Sequence, residues 1–215
     1  SSDLSISELG NNWSNYNAFK PNCEGLSNKQ HDQNIDLKVW TDKGWSSIKR
    51  VIRHKTNKKI YRICTDSGFV KVTEDHSLLD TCCVQIKPKD CNLNTELLHN
   101  SNFEILHHDS DKQLNIEINK NYENYFVSNS IHNLCITNYL DAMKIYYFAK
   151  CAGYNVIIQY IKSDINYFNI MYSKDKLTDN PIKINEITDL GYIDDYVYDL
   201  ETDVGHFHAG VGSLI

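Results

Sequence analysis

The chain has 215 residues, 41% of them hydrophobic, and a formal net charge of −6 from 22 basic and 28 acidic residues. That is enough apolar material for a buried core in one or two domains, which excludes a disordered chain. Its longest apolar runs, such as Val156-Ile157-Ile158, are too short to span a membrane, and its acidic balance argues against a surface wholly given over to nucleic acid.

Ser1 to Glu8 is polar and acidic, unlike a secretory signal or a basic transit peptide. Ser5-Ile6-Ser7-Glu8-Leu9 suits a short helix with a Ser cap, and Cys23 to Gln33 reads as an exposed loop. From Ile35 to Asp80 the pattern turns to strands. Leu37-Lys38-Val39-Trp40 alternates, Thr41 to Gly44 has turn chemistry, and Trp45 to His54 resumes the alternation. Lys55-Thr56-Asn57-Lys58 reads as a second turn, before Ile60 to Cys64. A third, Asp66-Ser67-Gly68, precedes the strand Phe69 to Val72. Three turns spaced this way between alternating runs predict an all-β region.

Ile105 to Asn124 alternates weakly around Leu114-Asn115-Ile116-Glu117-Ile118. Leu140 to Ala152 is the clearest helix, with an apolar stripe of Leu140, Met143, Tyr147, Phe148 and Cys151. Asn138 or Asp141 stands near its start, and Gly153 after it. Two strands, Val156 to Lys162 and Tyr167 to Tyr172, follow around a turn at Asp164-Ile165-Asn166. This helix–strand–strand unit reads as an insertion in a β chain. Strand chemistry returns from Tyr196 to Ile215. The sequence ends inside the apolar run Gly210 to Ile215, which suggests a strand without its continuation.

Two segments carry chemistry. In Val72-Thr73-Glu74-Asp75-His76-Ser77, a hydroxyl and an imidazole lie three residues apart between a strand and an apolar run. Such a pair can polarise a peptide carbonyl and protonate a departing amide nitrogen. The same residues also suit a capped turn with a surface histidine. In Val197-Tyr198-Asp199-Leu200, followed by His206-Phe207-His208, an acid closes an apolar strand near two histidines. The alternative there is a capping Asp199, a core Phe207 and two solvent-facing histidines.

No metal site is expected. Cys82-Cys83, Cys91 and His107-His108 lack the spacing that brings two ligands to one ion. No cysteine stands where a catalytic thiolate forms, and Gly205 to Gly212 leads into neither a Lys nor a helix, so it is no phosphate loop. The seven cysteines, at 23, 64, 82, 83, 91, 135 and 151, are odd in number and irregularly spaced. That predicts no closed disulfide framework and an intracellular, reducing compartment.

Together the two segments resemble the inteins. Val72 to Ser77 looks like their T-x-x-H block B, and Val197 to Leu200 with Phe207-His208-Ala209-Gly210 looks like block F. The stretch from Val39-Trp40-Thr41-Asp42-Lys43-Gly44-Trp45 to Leu79 is similar to inteins of family B DNA polymerases, particularly viral ones. The resemblance covers residues 36–99 and 183–215. It implies a mostly β, Hedgehog/intein (Hint) horseshoe with a small α/β insertion. The divisions expected are 1–100 and 183–215 for the splicing domain and 101–182 for the insertion, which resembles a degenerate homing-endonuclease half-domain.

The implied activity is autocatalytic protein splicing without a cofactor. The implied partners are the flanking host segments, expected to be a DNA polymerase. Thr73 and His76 would strain the upstream scissile peptide and protonate its nitrogen, and Asp199 would assist the acyl shift. A block F histidine, usually two residues before the Phe, would promote Asn cyclisation. Gly205 holds that place here, leaving His206 first and His208 second as candidates. Ser1-Ser2-Asp3-Leu4 does not read as the opening block with its nucleophile, and the closing His-Asn is not seen. Both features fit the large fragment of a split intein. The competing readings are a DNA-binding or homing-endonuclease-type protein built on the insertion, and a Hint domain that only cleaves.

Overall fold

The computed structural model describes residues 5–16, 29–33, 35–41, 43–100, 103, 110–121, 125–128 and 130–215. In chain order the elements are α1 (Ile6–Leu9), β1 (Ser14–Asn15), β2 (Lys29–Asp32), β3 (Lys38–Thr41), β4 (Gly44–Thr65), β5 (Gly68–Thr73), β6 (Leu78–Leu79) and β7 (Gln85–Ile86). Then come α2 (Ser110–Asn121), β8 (Tyr125–Ser128), β9 (Ile131–Ile136), α3 (Tyr139–Cys151), β10 (Asn155–Ile161), β11 (Tyr167–Ser173), β12 (Ile184–Thr202) and β13 (Val211–Gly212). The fold is mostly β with a small helix-containing insertion, as the alternation leads one to expect. The chain divides into two compact units, residues 1–60 with 190–208 and residues 61–189 with 209–215.

The first unit is built on the long strands β4 and β12. Cross-strand ion pairs join Lys49 to Asp203, Arg50 to Glu201 and Lys55 to Asp194. Their opposite order along the two strands makes the ribbon antiparallel. Strand β3 folds back on β4 with Trp40 opposite Trp45, and the two rings meet edge to face at 5.1 Å. Helix α1 begins as the Ser cap suggests, with the Glu8 carboxylate accepting from the Ser5 amide at 2.7 Å. Ile48, Val51 and Leu200 form a small core, flanked by Ile6, Leu9, Trp13, Val39 and Phe207.

Two sequence expectations fail in this unit. Lys55 to Lys58 forms no turn, because β4 runs unbroken for 22 residues. Thr56 there is buried and Lys55 pairs with Asp194 on β12, so partner contacts outweigh the local turn preference. The supposed loop from Cys23 to Gln33 contains β2, which pairs with both β1 and β4. Buried Asp32 takes the amides of Asn11 and Asn12 at 2.9 and 2.8 Å. Cys23 itself lies outside the described residues, as do Ser1 to Leu4, His107 and His108.

The second unit holds most of the core. Strands β8 to β11 form an antiparallel sheet in the order β10-β11-β9-β8, with α3 packed on it and α2 packed on α3. Residues 110–121, where alternation suggested a strand, are helical. Leu114 and Ile118, one turn apart, are buried, while Ile116 between them is 38% exposed. In α3 the buried residues are Ala142, Ile145, Tyr146, Ala149 and Cys151, so of the expected stripe only Cys151 is among them. The two alanines let the helix approach closely, and Tyr147 and Phe148 pack at its flanks. Asn138 is the cap, accepting from the amides of Leu140 and Asp141 at 2.8 and 3.2 Å.

This sheet shares one core with β4, β5 and β13. Cys64, Phe69 and Val211 pack in the same cluster as Ile145, Ile158, Phe168 and Ile170. An adjoining cluster gathers Ile63, Val70, Val72, Leu78, Leu97, Ile184 and Leu214. Buried Arg62 pairs with Glu186, donates to the Thr188 hydroxyl at 2.9 Å, and lies over the Tyr160 ring.

Candidate functional site

The T-x-x-H segment is held by its flanks. Val72 and Leu78 insert into the second unit's core on either side of it, and the residues between them must reverse direction. The His76 amide donates to the Thr73 carbonyl at 3.0 Å, closing a four-residue turn. Thr73 and His76 are both half-buried within it, whereas Asp75 and Ser77 face outward. The two residues chosen from the sequence thus stand at the first and last positions of one turn, between Val72 and Leu78 of the apolar cluster.

The block F residues lie in the first unit. Asp199 is exposed on β12 beside buried Leu200, and its carboxylate accepts from the Leu200 amide at 2.8 Å. After β12, buried Thr202 organises the reversal. Its hydroxyl accepts from the Gly205 amide and donates to the His206 carbonyl, both at 3.0 Å. Gly205 has φ +84°, in the left-handed region. A side chain there would strain the backbone. Phe207 packs on the Ile48–Val51–Leu200 core. The His208 amide donates to the Trp40 carbonyl at 3.0 Å, and its ring nitrogens are screened from solvent. His206 is half-buried at the mouth of the turn.

Another histidine escaped the sequence reading. His99 is placed by the pairing of its backbone with Leu214. Its Nδ1 faces the Leu97 carbonyl at 2.8 Å, which can only accept, so Nδ1 carries the proton. Nε2, 2.9 Å from the Thr65 hydroxyl, is then the acceptor. Burial pushes its pKa down to about 4, so the ring is neutral at ordinary pH. No motif marks His99, because its partners are 34 residues upstream and more than 100 downstream.

Among the described residues no three His, Cys, Asp or Glu side chains are grouped to hold a metal ion. Cys82 and Cys83 lie on a tight turn, not a strand. The Asp80 carboxylate accepts from the amides of Cys82 and Val84, both at 2.8 Å.

No family model matches the chain. A DNA polymerase of Acanthamoeba polyphaga mimivirus is 30% identical to it over 98% of its length. That alignment extends over 331 positions, longer than the chain itself, so the mimivirus protein carries residues in this region that the chain lacks. DNA polymerases of Thermococcus hydrothermalis and of Thermococcus sp. (strain GE8) are each 56% identical over 36 residues, 16% of the chain. Among solved structures, the Mvu mini-intein of transcription factor IIB matches over 97% of this chain and 84% of its own, with a TM-score of 0.45 and 15% identity.

The similarity in sequence is thus to segments of DNA polymerases.

The chain spans 19% of the mimivirus polymerase and 2% of the Thermococcus ones.

Proposed function

We propose that this chain is the body of a protein-splicing domain that excises itself from a DNA polymerase. The observation that carries the reading is the Thr73–His76 turn, which sets a hydroxyl and an imidazole on one half-buried reversal. The similarity to DNA polymerases supports the host.

In the reaction, a hydroxyl or thiol attacks the carbonyl of its preceding peptide. The C–N bond breaks, an ester or thioester forms, and the departing nitrogen takes a proton. Thr73 orients the scissile carbonyl and His76 supplies that proton. Asp199, exposed at the end of the block F strand, assists the shift. The first residue after the domain takes the upstream acyl group by transesterification. His206 polarises the downstream peptide while an Asn side-chain nitrogen attacks its carbonyl. A succinimide closes, the C–N bond breaks and the downstream amine is freed. The acyl group shifts to that amine to restore a peptide bond, and His208 backs the turn. No cofactor takes part. The nucleophile and the Asn belong to residues beyond the matching blocks, contiguous with them or on a separate short fragment. We place the reaction in a reducing intracellular compartment, which keeps an attacking thiol free. The α2-to-β11 segment, two helices and a four-stranded antiparallel sheet, suits a reduced homing-endonuclease half-domain.

The test is the full domain within its native flanking sequences. His76→Ala should slow thiol-induced upstream cleavage by at least about 100-fold, the scale of a lost general acid, with the melting midpoint held. Cleavage at the parent rate would remove His76 from the mechanism. Absence of any ligated product from the parent would overturn the splicing reading.

A further inference from the structure

In the reading above the insertion is a passenger. The contacts of α3 give it a task. Tyr146, fully buried, donates its hydroxyl to the Ser213 Oγ at 3.0 Å. The Ser213 hydroxyl in turn donates to the Ser67 carbonyl at 3.3 Å, and the Ser213 amide reaches that carbonyl at 2.9 Å. One turn earlier on the helix, Met143 accepts the Gly212 amide on its sulfur at 3.3 Å. From β10, the Ile158 amide donates to the Asp66 carbonyl at 2.8 Å, holding the β4–β5 hairpin turn from the same side.

Between these contacts β13 has no room to shift. A Cβ on Gly212 would lie 2.3 Å from the Ser67 carbonyl oxygen and 3.0 Å from Ile158 Cδ1, and one on Gly210 would lie 1.9 Å from the Phe69 oxygen. The strand is thus seated between the hairpin turn and α3, with glycines where the backbones meet. Beyond it the Ile215 amide donates to the Leu98 carbonyl at 3.1 Å, so the seating of β13 fixes the path of the chain to its last residue.

We propose that Tyr146, with Met143, is a positioning residue for the downstream splice junction. The insertion helix sets the register and rotation of residues 211–215, and so the aim of whatever peptide follows them. This rests on the splicing reading. It makes α3 integral to the domain, and only the parts of the insertion that do not touch β13 dispensable.

Tyr146→Phe keeps the ring and removes the hydroxyl. In the full domain with its native flanks, downstream cleavage should fall about tenfold, the loss expected for one buried hydrogen bond whose partner stays behind. Thiol-induced upstream cleavage should stay within about twofold. Ser213→Ala should give the same split, and the double variant should be no worse than either single one. Equal slowing of both steps would mark Tyr146 as merely structural and overturn the proposal, as would unchanged downstream cleavage. A second measurement stands apart from splicing. Amide hydrogen exchange at residues 211–215 should accelerate in Tyr146→Phe, with β8 to β11 unaffected. If the parent never splices but this acceleration is seen, the splicing reading has failed and the seating of β13 by α3 stands. If exchange is unchanged, the seating fails.

Discussion

The two units are ordered by different forces, although β4 and β12 run through both. Among the described residues of 1–60 and 190–208 the apolar cluster has three buried members with a rim of half-buried ones, and the ribbon is laced by ion pairs. Lys55 and Asp194 there have side chains 56% and 74% exposed. Arg53 is flanked by the Trp13 and Tyr196 rings at 4.0 and 4.8 Å, holding the ribbon's face without burying it. In residues 61–189 and 209–215 the same strands enter two larger apolar clusters, β4 through Cys64 in the one that includes the insertion and through Ile63 in the other, and β12 through Ile184 in the latter. There the ion pair of buried Arg62 with Glu186 is backed by a hydroxyl and a ring. Strand pairing thus has two physical bases within one pair of strands. Many weak, screened contacts serve the first unit, and a few large, water-free ones the second.

The largest effect expected from this contrast is at Phe168. It is fully buried and meets Phe69, Tyr139 and Tyr160 at 4.9 to 5.3 Å between ring centres. Phe168→Ala should cost about 3–5 kcal/mol in urea unfolding. A loss under about 1 kcal/mol would mean that the insertion's core contributes little and would erase the contrast.

The next test is acid. The His99 pKa falls from the ordinary 6.5 to about 4 on folding, so on acidification the unfolded chain takes up its proton first. Stability from this group is complete above pH 6.5, declines toward pH 4, and is level below, a span of about 3 kcal/mol. His99→Gln should remove that part of the pH dependence whatever it does to the absolute value. Parallel curves for parent and variant would show that His99 is not buried as a neutral ring.

The smallest effect is expected on the ribbon. Lys55→Ala should change stability by less than about 1 kcal/mol, and 0.5 M salt should absorb most of that. A loss above about 2 kcal/mol would show that the ribbon depends on that single pair and not on many weak ones.

What the sequence made legible follows the same division. Local chemistry was readable where a short stretch decides its own shape. The Ser5–Glu8 cap, the Asn138 cap, the Asp66–Gly68 turn and the T-x-x-H reversal all depend on residues within a few positions of each other. It misled where a partner decides. Lys55 to Lys58 has the composition of a turn, but β12 lies alongside and keeps it extended. Residues 114, 116 and 118 alternate like a strand, yet the i, i+4 pair Leu114 and Ile118 is what a core can bury from a helix. In the candidate site, Thr73 and His76 were legible for the first reason. His99 and Tyr146 were not, since their meaning comes from Thr65, Leu214 and Ser213, far away in sequence.

The edge-to-face pair of Trp40 and Trp45 has an optical consequence. All three tryptophans, at 13, 40 and 45, belong to the first unit, while the second carries tyrosines such as Tyr146, Tyr160 and Tyr172 and no tryptophan. Excitation at the red edge of the absorption band therefore interrogates one unit alone, and two indoles 5.1 Å apart should add an exciton couplet to its circular dichroism. The chain thus carries its own reporter of the ribbon, whose melting is read from tryptophan without a contribution from the large core.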